Sequence, residues 1–193
     1  MTIGAKNKKL NKNSGFTLVE LIVVIGIMAV LIGLVGLSIN MLTGAEAKQA
    51  YHKMDAELND AKTGSMTRYD ETLTLQYLTK DVANGIESDG YYGKMTVNTL
   101  DKNAADLKKS IGIEYRKVAA KKVVIKVYFD GSAAPQTMGL SDALEISYDR
   151  ATGALNKAKY NGAEHELNML EFSSGLRTYR IKFVQTTGKH YLD

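Results

Sequence analysis

Glu20 is the residue whose type and position point most directly to chemistry. It is the single charged side chain between Phe16 and Leu42, a stretch that is otherwise almost wholly apolar. A carboxylate at the edge of a bilayer is costly unless a cation pairs with it, so such a residue indicates a function and a partner. A plainer interpretation places Glu20 in the first turn of a helix, where the macrodipole favours an anion. Both interpretations can hold together.

The rest of the chain contains no recognisable catalytic motif. It has no Gly-Lys-Ser/Thr phosphate loop, no Gly-x-Ser-x-Gly elbow and no His-Glu-x-x-His pair. It also has no cysteine, which excludes disulfides, thiol nucleophiles and thiolate metal sites. We therefore expect neither enzymatic activity nor a cofactor, and no direct binding of nucleotides.

Two features could be interpreted as cation sites. The three histidines, His52, His165 and His190, are far apart in sequence, and His165 lies between two glutamates. Adjacent residues do not face the same way in a helix or a strand, so Glu164, His165 and Glu166 make a poor ligand set. The second feature is the loop Asp149–Gly153, whose residues are equally those of a hairpin turn. We predict no metal site.

Tyrosines are frequent in the middle of the chain. Four of them, Tyr69, Tyr77, Tyr91 and Tyr92, lie in one region of mixed composition. They could form an exposed contact surface for neighbouring subunits or ligands. They could equally be buried tyrosines or ordinary loop residues.

The elements that must position Glu20 begin with a lysine-rich segment and an apolar stretch. The chain carries 25 basic and 21 acidic residues, and four of the lysines lie among the first fifteen residues, so the remainder is balanced. As a helix, residues 16–42 would be about 40 Å long, enough to cross a hydrocarbon core of about 30 Å. Lysines before this stretch place the N-terminus in the cytoplasm. The alternative is an ordinary secretory signal, whose cleavage site lies at small residues after its apolar core. The apolar stretch of this chain is longer than such a core.

The junction of the two segments reads Ser14, Gly15, Phe16, Thr17, Leu18, Val19, Glu20, Leu21. Together with the lysine-rich leader and the apolar helix, this octet resembles the processing motif of type IV prepilins and pseudopilins. The resemblance covers about a fifth of the chain, from Lys6 to Leu42. One departure is that many pilins carry a proline in this helix, whereas this chain has Gly33 and Gly36.

The resemblance implies that a membrane-embedded peptidase removes residues 1–15 by cutting after Gly15 and then methylates the new N-terminus at Phe16. It also implies that Glu20 pairs with the N-terminal amine of the neighbouring subunit in a filament. Such an amine is largely protonated at neutral pH. An assembly platform protein and a separate cytoplasmic ATPase would be further partners.

The helix is expected to continue through residues 43–63 and to end at Gly64 and Ser65. Its apolar residues are spaced four, three, four and three apart: Ala47, Tyr51, Met54, Leu58 and Ala61. This spacing places them in one stripe of an amphipathic helix. The stripe needs a sheet to cover it.

Residues 64–193 are predicted to form a globular head of three or four antiparallel strands. The clearest strands are Lys122–Phe129, Leu176–Val184 and a hairpin of Ala143–Tyr148 with Ala154–Tyr160. Met66–Asp106 is ambiguous, with turn signals at Asn84–Gly85, Asp89–Gly90 and Tyr92–Gly93. The resemblance implies a variable connecting loop there. The fold class is therefore α+β, a long N-terminal helix packed on a small antiparallel sheet.

The resemblance implies a structural subunit of a type IV pilus or pilus-like filament. It would be a single-pass protein of the cytoplasmic membrane, surrounded by lipid, that later enters an extracellular homopolymer or mixed filament, and the sequence leaves open whether this filament serves adhesion, motility, DNA uptake or secretion. Alternatives are a pseudopilin or minor pilin of a DNA-uptake or type II secretion system, with DNA as a partner in the first case alone. A different class is a single-span membrane protein with a ligand-binding head. The absence of cysteine hints at a Gram-positive owner, since many Gram-negative pilins carry a disulfide in the head.

Overall fold

A computed structural model describes residues 16–67, 70–98 and 115–193 of the chain. The predicted leader, residues 1–15, lies outside these residues. The chain divides into two compact units, Met1–Ile39 and Asn40–Asp193. Among the described residues no helix is both apolar and long enough to cross a membrane. A membrane-spanning first half therefore stays a prediction.

The long helix α1 runs from Leu18 to Thr67. It continues past Gly64 and Ser65, so the predicted end was a few residues too early. Glycine lowers helix stability by about 1 kcal/mol relative to alanine but does not by itself stop a helix. The predicted apolar stripe is confirmed, since its five side chains are between 0% and 7% exposed: Ala47, Tyr51, Met54, Leu58 and Ala61.

The first sheet has six strands in the order β3-β2-β1-β6-β7-β8. All its described pairings are antiparallel. Its strands are β1 (Asp70–Leu78), β2 (Gly90–Asn98), β3 (Tyr115–Ala120), β6 (Ala143–Ser147), β7 (Ala158–Tyr160) and β8 (Ala163–His165). The predicted hairpin of Ala143–Tyr148 with Ala154–Tyr160 is confirmed as the β6–β7 pair, with Leu144 opposite Tyr160.

The second sheet has five strands in the order β11-β10-β9-β4-β5 and is also antiparallel. Its strands are β4 (Val124–Phe129), β5 (Gln136–Thr137), β9 (Leu167–Ser174), β10 (Arg177–Val184) and β11 (Lys189–Leu192). Short 3-10 turns lie at Val82–Asn84 and Gln185–Thr187. The described residues thus confirm the α+β class.

One buried cluster contains four residues of the α1 stripe, Tyr51, Met54, Leu58 and Ala61, together with the inner faces of both sheets. Its fully buried members include Leu58 from the helix, Leu73 and Ile146 from the first sheet, and Leu170 and Phe172 from the second. Alternation of buried and exposed residues along β6 and β10 supplies these inner faces. The stripe is therefore covered by two sheets rather than by one small sheet.

Polar contacts attach the same part of α1 to the head. His190 Nε2 and Asp55 Oδ1 are within hydrogen-bond distance, 2.8 Å apart. Lys62 Nζ donates a hydrogen bond to the carbonyl of Thr187 at 2.8 Å. A further ion pair joins Arg116 to Asp60 at 2.7 Å. These contacts hold β11 and β3 against one helix.

The prediction of three or four strands was wrong, because the described residues form eleven. The Asn84–Gly85 turn is confirmed, with Gly85 at φ 78°. The predicted turn at Tyr92–Gly93 was wrong, since both residues lie inside β2. A Cβ on Gly93 would lie 3.2 Å from Leu73 and 3.6 Å from Glu57 of α1. Gly93 therefore marks a close approach of helix and strand.

Replacement of Leu58 by alanine tests the core. Leu58 is fully buried, so Leu58→Ala should lower the free energy of unfolding by about 2–5 kcal/mol. The measurement is denaturant unfolding of the full chain in detergent micelles, followed by circular dichroism. The exposed helix residue Lys53 supplies the control, since Lys53→Ala should change stability by less than about 0.5 kcal/mol. Equal effects of the two variants would contradict a packed stripe.

Candidate functional site

The first turn of α1 forms a capping box between Thr17 and Glu20. Glu20 Oε2 accepts hydrogen bonds from the Thr17 backbone N–H at 2.8 Å and from the Thr17 hydroxyl at 2.9 Å. In return the Glu20 N–H donates to Thr17 Oγ1 at 3.2 Å. Such a reciprocal arrangement satisfies two of the backbone donors that a helix start leaves unpaired.

This geometry supports the plainer of the two interpretations of Glu20, its place in the first helical turn. The contribution of Thr17 was missed, although a threonine three residues before a glutamate and followed by an apolar run is a recognisable signal for it. Charge pairing of Glu20 with a neighbouring subunit stays a prediction. The capping box and the pairing are compatible, because both need the carboxylate at the very start of the helix.

The apolar side chains that follow are exposed in the isolated chain. Phe16 is 89% exposed, and the large apolar side chains from Leu18 to Ile32 are all exposed in the same way. A contiguous apolar surface of this length is unusual for a soluble monomer and marks contact with lipid or with other protein. Gly15, the predicted last residue of the leader, lies outside the described residues.

The histidines do not form a site. His165 stacks on Phe129 with ring centroids 4.5 Å apart, His52 contacts the ring of Tyr51, and His190 pairs with Asp55. No group of three or more potential metal ligands occurs in the part of the chain that the structure describes.

The loop Asp149–Gly153 is a turn held by its own side chains. Asp149 Oδ1 accepts hydrogen bonds from the backbone of Ala151 and Thr152 and from the Thr152 hydroxyl. These bonds lower the pKa of Asp149, the Thr152 hydroxyl being the largest contributor. Its hydrogen-bonding capacity thus serves the hairpin turn.

The tyrosines of the middle region are mostly buried. Tyr77, Tyr91 and Tyr92 are each less than a tenth exposed, and Tyr91 donates to the carbonyl of Met138 at 2.8 Å. Tyr69 lies outside the described residues. An exposed contact surface built from these tyrosines is therefore not supported, and their role in the described residues is packing.

Glu171 is a buried carboxylate that sequence reasoning missed. It is 5% exposed and lies in the centre of β9. Its carboxylate receives Arg180 Nε at 2.9 Å, Lys126 Nζ at 3.4 Å and the Tyr128 hydroxyl at 3.3 Å. Burial alone would raise the pKa of Glu171, but Arg180 and Lys126 outweigh it and hold the pKa below its ordinary value. Carboxylates with a shifted pKa often mark functional sites. Here Arg180 and Lys126 on the neighbouring strands account for the lowered pKa of Glu171.

Comparison with known proteins bears on the start of the chain. The family model of the prokaryotic N-terminal methylation motif matches residues 10–36. The chain carries this methylation motif. The match covers residues 10–15 of the predicted leader, the Gly15–Phe16 junction, the capping box and most of the exposed apolar helix, and it supports the resemblance to type IV prepilins and pseudopilins. No curated protein and no solved structure matches the chain.

The Glu171 cluster predicts an acid-sensitive head. Because the folded-state pKa is lowered, the ionised carboxylate stabilises the fold above its unfolded pKa of about 4.3, and this stabilisation is lost as the pH falls through the folded-state value. Glu171→Gln should cost about 1–3 kcal/mol at neutral pH and flatten the loss of stability in acid.

The measurement is the free energy of unfolding of the full chain at a series of pH values. Glu164→Gln is the matched control, since Glu164 is an exposed residue of β8. If the free energy of unfolding of Glu171→Gln falls with decreasing pH in the same way as that of the unmodified chain, the assigned ion pairs are contradicted.

Proposed function

We propose that the chain is the precursor of a structural subunit of a type IV pilus or a pilus-like filament. The observation that carries this proposal is the methylation motif at residues 10–36, situated on a capped helix with exposed apolar side chains. In this proposal a peptidase removes residues 1–15, the new N-terminus at Phe16 is methylated, and the apolar helix is stored in the cytoplasmic membrane with the head outside.

Assembly transfers the apolar helix from lipid to the core of a filament. Both environments bury the same exposed side chains from Leu18 to Ile32, so the transfer need not expose apolar surface to water. Subunits added head to tail with a repeated rotation make a heterologous contact that does not close, which produces a helical filament. An assembly platform protein and a cytoplasmic ATPase would drive the transfer.

Glu20 gives the assembly its register in this proposal. Cleavage after Gly15 creates one protonated amine per subunit, and Glu20 supplies one carboxylate. At a separation of about 4 Å these charges attract by about 4 kcal/mol for an effective dielectric near 20, before desolvation is subtracted. An apolar interface leaves few other groups to fix the axial position of one helix against the next, so this pair would define it.

The same motif also fits a pseudopilin or a minor pilin of a DNA-uptake or secretion system. A different alternative is a membrane-anchored protein whose head binds a ligand, and the contacts within the head bear on this choice. In the described residues the three histidines contact neighbouring side chains and Tyr77, Tyr91 and Tyr92 are buried, which favours a structural role. Adhesion, motility and DNA uptake are then properties of the assembled filament.

Two substitutions separate the roles of Glu20. Glu20→Gln removes the charge, but glutamine also fits a capping box, so the helix start is retained. Thr17→Val removes the reciprocal hydroxyl and costs about 1 kcal/mol at the helix start while the charge is kept. We expect at least a tenfold loss of surface filaments for Glu20→Gln and near-normal filaments for Thr17→Val.

The measurement is the amount of subunit in the sheared filament fraction of native cells, divided by the total amount of subunit in the cell. Equal losses for both variants would assign Glu20 to helix capping alone. Normal filaments with Glu20→Gln would sink the charge-pairing mechanism.

A further inference from the structure

The hairpin between β9 and β10 ends in an exposed leucine. Leu176 is 90% exposed. The turn is tight, with Gly175 at φ 61°, so the backbone holds Leu176 at its tip. A single exposed leucine is ordinary on a protein surface, so the interpretation of Leu176 depends on where it lies and on its charged neighbours.

This tip lies beside the first residues of the head. A Cβ placed on Gly44 would meet Arg177 Cδ at 2.7 Å, so the aliphatic part of the Arg177 side chain runs directly over the helix backbone at Gly44. Gly44 follows Leu42, the last residue of the predicted membrane segment, by two positions. The hairpin therefore lies within about one helical turn of the point at which the chain would leave the bilayer.

Basic side chains surround the exposed leucine. The turn Lys121–Lys122 lies next to the hairpin, because Val124 of β4 pairs with Ser173 of β9. Lys122 Nζ binds Glu46 Oε1 at 2.8 Å, which holds this turn at the same end of the helix. The side chains of Lys121 and Arg177 are exposed. An apolar tip flanked by cations is the composition that favours the headgroup region of an anionic bilayer.

We propose that this hairpin docks the head onto anionic lipid headgroups while the subunit is stored in the membrane. Leu176 enters the headgroup boundary, and Arg177 and Lys121 contact lipid phosphates. The inference rests on the proposed function, since it needs the apolar helix to be in the bilayer. The hairpin would be a second contact with the membrane besides the helix, and this contact is released when the subunit enters the filament.

A lipid surface fits the hairpin better than a nucleic acid. The bilayer surface is within reach by chain connectivity alone, because Gly44 contacts Arg177 and follows the apolar segment directly. Lipid phosphates supply the negative charge, and the acyl boundary accepts the leucine. A nucleic-acid site would not require an exposed aliphatic tip, since bases stack on aromatic side chains.

The absence of cysteine makes a spin-label test direct. A nitroxide is attached to Leu176→Cys of the full chain, reconstituted into vesicles of phosphatidylcholine alone or mixed with phosphatidylglycerol. The control label is Ala151→Cys, in the turn that lies near Lys62 towards the other end of the helix. Power saturation with oxygen and with a water-soluble nickel chelate reports the depth of each label.

In mixed vesicles we expect the label at residue 176 to be shielded from the nickel chelate and exposed to oxygen, and the label at residue 151 to be accessible to both. The double variant Lys121→Gln, Arg177→Gln should reverse the shielding at residue 176. The charge-matched double variant Lys53→Gln, Lys189→Gln, which changes two other exposed lysines, should leave it unchanged.

Equal accessibility of the two labels in chains that stay with the vesicles after an alkaline wash would overturn the docking proposal alone. Shielding that depends on protein density but not on phosphatidylglycerol would assign the hairpin to contact between copies and would also overturn it. Loss of the chain from the vesicles in the wash would instead overturn the membrane storage on which the proposed function depends.

Discussion

Burial of the exposed apolar side chains at the start of α1 is the constraint on which the rest of the account depends. Side chains from Leu18 to Ile32 face outward in the isolated chain, and each buried methylene group contributes about 0.8 kcal/mol when it leaves water. Lipid and a bundle of identical helices are both suitable surroundings. The biology proposed for the chain follows from exchanging one of these surroundings for the other.

The distribution of apolar residues around α1 differs between the two units. In the first unit the apolar residues occupy all faces of α1, which is typical of a helix that is surrounded by apolar material. In the second unit α1 buries one side, the stripe from Ala47 to Ala61, and the two sheets cover it. Charged residues on the remaining faces, such as Asp55 and Asp60, pair with the head. The head can therefore fold around its own part of the helix.

Regular periodicity made part of the fold predictable. The stripe of α1, the β6–β7 hairpin and β10 each keep the expected period, and all three were placed correctly apart from element ends. β9 was missed because its alternation is interrupted. A register shift between Tyr128 and Phe129 leads to burial of both Leu167 and Leu170, and Glu171 is buried only because Lys126 and Arg180 come from neighbouring strands. Similarly, β2 contains Gly93, which resembles a turn residue until the helix that passes over it is known.

The methylation motif was predictable because its signal is local. Residues 14–21 carry the motif in consecutive positions, and the capping box needs only Thr17 and Glu20. The Leu176 hairpin was not predictable, since its position beside Gly44 depends on the folding of the whole second sheet. Local motifs indicate processing, whereas the surfaces that orient the head arise from tertiary structure.

The most direct test of the account is the intact mass of the protein from its native cells, with fragmentation of the N-terminal peptide. The account predicts a chain that lacks residues 1–15 and begins at a methylated Phe16. A chain that still begins near Met1 would contradict prepilin processing and would leave a simple membrane anchor as the better description.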